Sequence, residues 1–289
     1  MMMIRLSLVL ATYGRSDDIG RFIIGLEKQL VRDFELLVID QNQDDRVVPY
    51  VHQALNAGLQ VQHHRLQSPN LSAARNLGIS HAQGEVIGFP DDDCWYEPEL
   101  VQSVLKAFEA RSDLGGLVAE WVEQAQARID SPLDPILSYE RWRRFRDGDA
   151  SSISLFIKSD LLRQVGGFDP RLGVGQWFGA GEEIDLILTL LSTKATLARC
   201  PAARVHHRYA PVGHLRPDGN GRAVLRRARG TGALYAKHRL GWAVFVRGLL
   251  APPVKALWPW QGLPGLRLAF ATSAGRLQGA VAWMLGWRT

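Results

Sequence analysis

Three consecutive carboxylates, Asp91-Asp92-Asp93, follow Phe89-Pro90 at the end of a short apolar run. Charges this close repel one another, so such a triplet persists where a cation or solvent offsets the repulsion. Carboxylate oxygens suit hard divalent ions, Mg²⁺ or Mn²⁺, above all where phosphates complete the coordination. A solvated acidic turn is the other reading of the triplet by itself. A further carboxylate, Asp40, closes the apolar run Phe34–Ile39. Arg75 lies in Leu71-Ser72-Ala73-Ala74-Arg75-Asn76, where a helical pattern begins. Free backbone N–H groups and a guanidinium placed there can meet a diphosphate. Alone, Arg75 would read as a surface or structural arginine. A metal, a cation and a helix terminus around one crevice make a site for an anionic nucleotide.

Glu182-Glu183 is the second chemical feature. Neighbours on a helix point about 100° apart, so one can face a cleft while the scaffold holds the other. At a helix start either carboxylate is favoured as the anion, the form a general base needs. Plain helix-start capping is the alternative. His206-His207 follows the short extended segment Ala203–Val205, and a neutral imidazole is a reasonable Mn²⁺ ligand beside carboxylates. An ordinary surface histidine fits either position as well. His214 and His238 have nothing to single them out.

The elements that must position these groups alternate along the first 125 residues. Ser7–Thr12 reads as a buried strand, followed by Ser16 as an N-cap with Asp17 and Asp18 in the first turn. Ile19, Phe22, Ile23, Leu26 and Leu30 then fall at helical spacing. Phe34–Ile39 is a strand, Val47–Ala57 a helix, Gln60–Arg65 extended, Ser72–Ala82 a helix and Glu85–Phe89 a strand. Glu97–Arg111 reads as a helix started by Pro98, and Leu114–Val122 as a strand. Ser131–Asp149 is an irregular or short-helical insertion containing Arg141-Trp142-Arg143-Arg144. Ser152–Ile157 is extended, Ser159–Val165 helical, and a Gly-rich stretch, Gly166–Gly181, precedes the helix Glu182–Leu191. Short apolar strands separated by helices imply βαβ units and a mainly parallel sheet. Ligands gather at the carboxyl ends of such strands, where Asp40 and Asp91 to Asp93 fall.

In order, these segments resemble a family 2 glycosyltransferase of the GT-A fold. The matching stretches are Val9-Leu10-Ala11-Thr12-Tyr13-Gly14-Arg15, Leu37-Val38-Ile39-Asp40, Ala74-Arg75-Asn76-Leu77-Gly78-Ile79 and Gly84-Glu85-Val86-Ile87-Gly88-Phe89-Pro90-Asp91-Asp92-Asp93. Gly166-Gly167-Phe168-Asp169 and Gly181-Glu182-Glu183-Ile184-Asp185-Leu186 complete the set, which covers roughly residues 4 to 210. The resemblance implies a Rossmann-like α/β fold, a mainly parallel sheet flanked by helices. It implies a nucleotide-diphosphate sugar donor and a divalent metal, Mn²⁺ or Mg²⁺. Thr12, Tyr13, Arg15, Asp40, Arg75, Asp91 and Asp92 would bind the donor, with Tyr13 and Asp40 at the nucleobase and ribose. Asp91 to Asp93 would be the D-x-D motif, with Asp93 as the firmest metal ligand, Asp91 beside it, and His207 completing the site through its V-x-H spacing. The family usually reads Glu-Asp where this chain has Glu182-Glu183, with the second residue as base. Glu183 is therefore the expected base, with Glu182 close behind, although its side chain is one methylene longer. Inversion at the anomeric carbon is likewise what the family implies.

The chain has 289 residues, enough for one large domain or two small ones. At 46% hydrophobic and 22% charged it is composed as a folded protein rather than a disordered one. Cys94 and Cys200 form no C-x-x-C pair, so neither a disulfide framework nor a zinc site is expected and a cytoplasmic setting is the default. Leu6–Ala11 is too short for a signal segment, and no run reaches the roughly 20 apolar residues of a membrane span. From residue 200 onward stand 14 Arg and Lys against the single acid Asp218, which leaves 20 basic and 28 acidic residues before it.

That split divides the chain into a catalytic domain over residues 1–212 and a basic, Trp-rich helical extension over 213–289. Arginines mixed with Trp242, Trp258, Trp260, Trp283 and Trp287 suit a helix lying at the inner face of an anionic membrane, with a saccharide or lipid-linked acceptor. A solvated face, a dimer interface or a lid over the donor pyrophosphate suits the same residues. A catalytically silent nucleotide-sugar-binding partner subunit is the alternative to an enzyme. Nucleic-acid binding is disfavoured, since the acidic body would repel phosphate backbones. Thr12-Tyr13-Gly14-Arg15 in place of G-x-G-x-x-G disfavours a dinucleotide-dependent oxidoreductase.

Overall fold

The central strands are apolar at nearly every position because helices cover both of their faces. β1 (Leu6–Thr12) and β2 (Phe34–Asp40) are buried throughout. Leu6, Leu8, Leu10, Leu36 and Val38 point into one core layer, and Val9, Ala11, Leu37 and Ile39 into the other. The alternation is the two-residue period of a strand. On the first face lie α1 (Ile19–Glu27), α2 (Val48–Asn56) and α4 (Leu100–Ala110). On the second lie α3 (Leu71–His81), α6 (Ser159–Val165) and α7 (Glu182–Ser192). The computed structural model describes residues 3–15, 18–122, 133, 136–145, 151–207 and 221–287.

One eight-stranded sheet joins β1 and β2 to β3 (Gln60–Arg65), β4 (Val86–Gly88), β5 (Cys94–Tyr96), β6 (Leu114–Trp121), β7 (Leu155–Lys158) and β8 (Thr196–His207). Its order is β3-β2-β1-β4-β7-β6-β8-β5. The β1–β2, β1–β4, β2–β3 and β6–β8 pairings are parallel, and the pairings of β7 with β4 and β6 and of β5 with β8 are antiparallel. The sheet is thus mainly parallel, as the sequence indicates.

Three boundaries differ from the sequence reading for physical reasons. The helix expected from Glu97 starts at Leu100, because Cys94–Tyr96 is taken into β5 by pairing with His207, His206 and Val205. Pro98 therefore precedes the helix rather than opening its first turn. Ala203–Val205 is the end of a twelve-residue strand, whose register against β6 shifts between Ala119–Cys200 and Glu120–Arg204. Pro201 sits in that bulge, where a missing N–H costs no ladder bond, and it hides the strand from a reading by runs. Ser152–Ser154 forms a 3-10 turn before β7. Asp18 stands at the N-cap position before Ile19 rather than in the first turn, and the proposed N-cap Ser16 and first-turn Asp17 lie outside the described residues. So do His214, the 212/213 boundary and much of the 131–149 insertion, within which α5 (Tyr139–Trp142) is described.

After residue 220 the chain is helical: α8 (Gly221–Lys237), α9 (Trp242–Leu257) and α10 (Gly262–Met284). Glycines let these helices approach closely. A Cβ on Gly232 would stand 2.0 Å from the Arg276 carbonyl oxygen, and one on Gly279 would stand 2.0 Å from that of Arg229. A Cβ on Gly230 would likewise meet the Ala180 carbonyl at 1.9 Å, so α8 lies directly on the Gly-rich loop that leads into α7. No described helix is long and apolar enough to cross a membrane.

Candidate active site

β4 ends at Gly88, and the chain passes through the buried Phe89 into the aspartate triplet at the carboxyl edge of the sheet. Each aspartate is held differently. Asp92 is buried and accepts a 2.8 Å hydrogen bond from the hydroxyl of Thr12, the last residue of β1. Arg15, just beyond β1, spans the next carboxylates, with Nη1 2.5 Å from Asp93 and 3.3 Å from Asp92. His207 Nε2 stands 2.9 Å from Asp93 Oδ1. This contact follows from topology, because β5 runs antiparallel to β8 and sets Cys94 opposite His207. The strand period sends the neighbouring His206 elsewhere: it lies 2.9 Å from Glu97 and stacks on Trp95.

Burial raises the proton affinity of Asp92 despite its Thr12 and Arg15 partners. Burial acts the same way on Asp93, but the hydrogen bond and charge of His207, with Arg15, outweigh it and hold this carboxyl below its ordinary range. The reciprocal hydrogen bond raises His207. Ligand atoms of Asp91, Asp93 and His207 all fall within 4.8 Å of one another. Two carboxylate oxygens and an imidazole nitrogen form a donor set that fits Mn²⁺ or Mg²⁺. Cys94 stands apart from that set, since burial pushes its thiol well up and Sγ turns to the Asp91 carbonyl at 3.1 Å.

Arg75 connects this cluster to α7. It projects from α3, whose start is capped by the Asn70 side chain accepting from Ala73 N at 3.0 Å. The residue is 1% exposed, and its Nη2 donates to Asp91 at 3.1 Å and to Ser152 at 2.7 Å. Nη1 lies 3.7 Å from Glu182, and the guanidinium sits 5.2 Å from the centre of the Phe168 ring. Arg75 is thus placed beneath the crevice rather than on its surface.

Glu182 is buried at the N-terminus of α7. A Cβ on Gly173, at φ +113°, would press at 3.3 Å on both the Glu182 carboxyl carbon and the Ser72 hydroxyl, so only glycine lets the loop close over that carboxylate. Burial, then the adjacent Glu182 charge, pushes Glu183 up to about 7, with Arg75 pulling the other way. The neighbouring glutamates are therefore distinguished by environment: one is ion-paired in the scaffold, and the other holds its proton near neutrality.

Asp40 shares the sheet edge but lies below the surface. Its oxygens accept from Asn42 N at 2.9 Å and Nδ2 at 2.8 Å, and face His63 at 3.1 Å. The Asn42 side-chain oxygen in turn accepts from Gly14 N at 2.7 Å and fixes the turn that leaves Tyr13 59% exposed.

Several residues that sequence reasoning passed over support the site. Asp185 is buried one turn after Glu182 and faces Lys237 Nζ and His238 Nε2, both at 2.7 Å. Lys237 also reaches Asp169 at 2.8 Å, and Arg171 grips the same carboxylate at 2.8 Å. Although burial raises Asp169, those two cations together hold it well below its ordinary range. The two aspartates sat in stretches the sequence reading had marked. Lys237, His238, Asn42 and Ser152 gave no local signal, because their partners are distant in the chain or chemically ordinary.

Residues 7–149 match the family described as "Glycosyl transferase family 2". An uncharacterized glycosyltransferase of Haemophilus influenzae is 24% identical over 192 residues, 64% of this chain and 62% of its own length. A glucosyl-dolichyl phosphate glucuronosyltransferase of Haloferax volcanii is 24% identical over 184 residues, 58% of this chain and 57% of its own length. The match therefore spans about three fifths of these relatives. Among solved structures, mannosyltransferase PcManGT of Pyrobaculum calidifontis, in complex with GDP-Man and Mn²⁺, superposes with a TM-score of 0.63 at 16% identity, covering 99% of this chain and 88% of that one. TarS of S. aureus with UDP-GlcNAc gives 0.57 at 13% identity, with 98% and 93% covered. At these identities the structural likeness is one of fold.

Proposed function

This chain belongs to glycosyl transferase family 2 and has the GT-A fold, and from that premise we propose that it moves a sugar from a nucleotide-diphosphate donor to an acceptor hydroxyl, with inversion at the anomeric carbon. One observation carries the reading. The candidate ligands Asp91, Asp93 and His207 are linked to the helix start that carries the raised carboxyl of Glu183, because Arg75 bonds Asp91 and faces Glu182.

Glu183 is the general base. Its carboxyl, poised near 7, takes the acceptor hydroxyl proton as the oxygen attacks the anomeric carbon and the bond to the diphosphate breaks. Glu182 stays ion-paired and orients the helix start. Asp91 and Asp93, with His207, would hold Mn²⁺ or Mg²⁺, which would supply positive charge to offset that of the leaving diphosphate. Thr12 and Arg15 fix Asp92 and Asp93 and border the donor. The exposed Tyr13 covers the nucleobase, while Asp40 acts through Asn42 and the Gly14 turn, a positioning role one step removed from the ribose. Arg75, buried, orients Asp91 toward the donor phosphates. The acceptor is a saccharide or a lipid-linked one, and the extension from residue 213 gives the enzyme a peripheral contact with the inner face of the membrane.

The anomeric configuration of the product tests the mechanism. Inversion with loss of turnover in Glu183→Gln is expected, and retention would overturn the single displacement.

A further inference from the structure

One face of α10 turns apolar side chains to solvent from end to end, interrupted by Arg267. Leu263, Phe270, Leu277, Val281 and Met284 are exposed and follow one another at intervals of seven, seven, four and three residues, a single helical stripe. α9 carries a matching stripe of exposed Val246, Leu250, Val254 and Leu257, at intervals of four, four and three. The helices are locked together, since Ser273 Oγ donates to the Leu249 carbonyl and Arg276 Nη1 to that of Gly248, each at 2.6 Å. Both stripes run to the turn between them, where Trp258 is 88% exposed and Trp260 also faces solvent. Apolar surface this continuous marks a contact with a partner or a membrane.

Charge identifies the partner. Residues 221–287 hold ten Arg and Lys and no Asp or Glu. Arg247, Lys255 and Arg267 are exposed on the same two helices as the stripes. At the start of α9 a cavity of about 400 Å³ is lined by Arg143, Arg144 and Arg247, with Leu240, Val244 and the single acid Glu140. Three guanidiniums against an apolar wall suit a phosphate that carries a hydrocarbon neighbour. A protein partner would need a complementary acidic and apolar face, whereas an anionic bilayer supplies both chemistries at one boundary. With no described helix able to span, the hairpin would lie in the plane of the interface.

We propose that the exposed face of the α9–α10 hairpin docks on an anionic phospholipid membrane, with the Arg143–Arg144–Arg247 cavity receiving a head-group phosphate. The proposal rests on the peripheral contact in the reading above and is independent of the donor chemistry.

Cosedimentation at low salt tests it, with vesicles of phosphatidylcholine alone or mixed with phosphatidylglycerol. Wild type is expected to bind the anionic vesicles about tenfold or more tightly than the neutral ones. Leu250→Glu with Leu277→Glu, both on exposed side chains, is expected to abolish pelleting with the thermal midpoint and nucleotide affinity unchanged. Arg143→Ala with Arg247→Ala is expected to remove about tenfold of the affinity for anionic vesicles and little of that for neutral ones. No pelleting of wild type with anionic vesicles would overturn the proposal, as would equal binding by the Leu→Glu pair. Sedimentation velocity showing a dimer that the same pair splits would assign the face to a second copy instead. Vesicle binding that persists where no nucleotide binds would support this proposal while removing the donor reading.

Discussion

Around the aspartate triplet each carboxylate has a cation or hydroxyl partner within hydrogen-bonding distance, while the three C-terminal helices carry nine Arg and Lys and no acid of their own. In the crevice the charges are interlocked across β1, α3, the end of β4 and β8, so their geometry is set before any ligand arrives. In the hairpin, basic groups and apolar stripes face outward, which suits a large partner rather than a small one. Where the two regions meet, Lys237 and His238 at the end of α8 clamp Asp185 of α7, the helix that also carries Glu182 and Glu183. The interlocked cluster and the outward-facing hairpin thus occupy different parts of the chain, joined through α8 by the Lys237 contacts to Asp185 and Asp169 and by the close approach of Gly230 to Ala180.

The sharpest way to break this division is Glu183→Gln, which should lower kcat by about a thousandfold while leaving nucleotide affinity intact. Steady-state turnover beside calorimetry would read both. Next is pH. Burial disfavours the Glu183 anion and raises its carboxyl from an ordinary 4.5 to about 7. Below that value the base is protonated, so kcat/KM should fall about tenfold for each pH unit on the acid side. For stability the sign is opposite. The contribution of a raised carboxyl is complete below about 4.5 and is lost as pH rises to about 7, which urea unfolding across that window would detect.

Lys237→Met probes the joint between the regions. It leaves the buried Asp185 with His238 and should cost about 2 kcal/mol of unfolding free energy, the worth of one hydrogen bond to a charged group. Vesicle binding should survive it, whereas turnover falls through displacement of α7. The smallest effect on turnover is expected from Gly279→Ala, whose new methyl would stand 2.0 Å from the Arg229 carbonyl oxygen and force the α8–α10 crossing apart. Overpacking against backbone there should cost about 3 kcal/mol or more of stability and leave nucleotide affinity unchanged.

Much of the sheet and of the acidic cluster is legible in the sequence because its signals are local. The runs Ser7–Thr12 and Phe34–Ile39 are strands buried on both faces, and a continuous apolar run states as much. Asp91 to Asp93 and Glu182-Glu183 declare themselves by adjacency. What stayed hidden depends on contacts between distant segments. β5 has three residues and exists through its pairing with β8, which Pro201 interrupts. The burial of Asp40 and Arg75 follows from how α3 and β3 close over the sheet edge, which no spacing encodes. The clamp on Asp185 joins residues 52 positions apart. The exposed stripes of α9 and α10 were present as periodic leucines and valines, but a buried helix carries the same pattern, so only the packing could tell which face is free.

The most direct test of the central claim is calorimetric titration with UDP, GDP and dTDP, each with and without Mn²⁺, on wild type and on Asp93→Ala. One nucleotide is expected to bind only when Mn²⁺ is present, and Asp93→Ala is expected to lose this binding. Binding to none of the three, or equal Mn²⁺-dependent binding by Asp93→Ala, would contradict the claim.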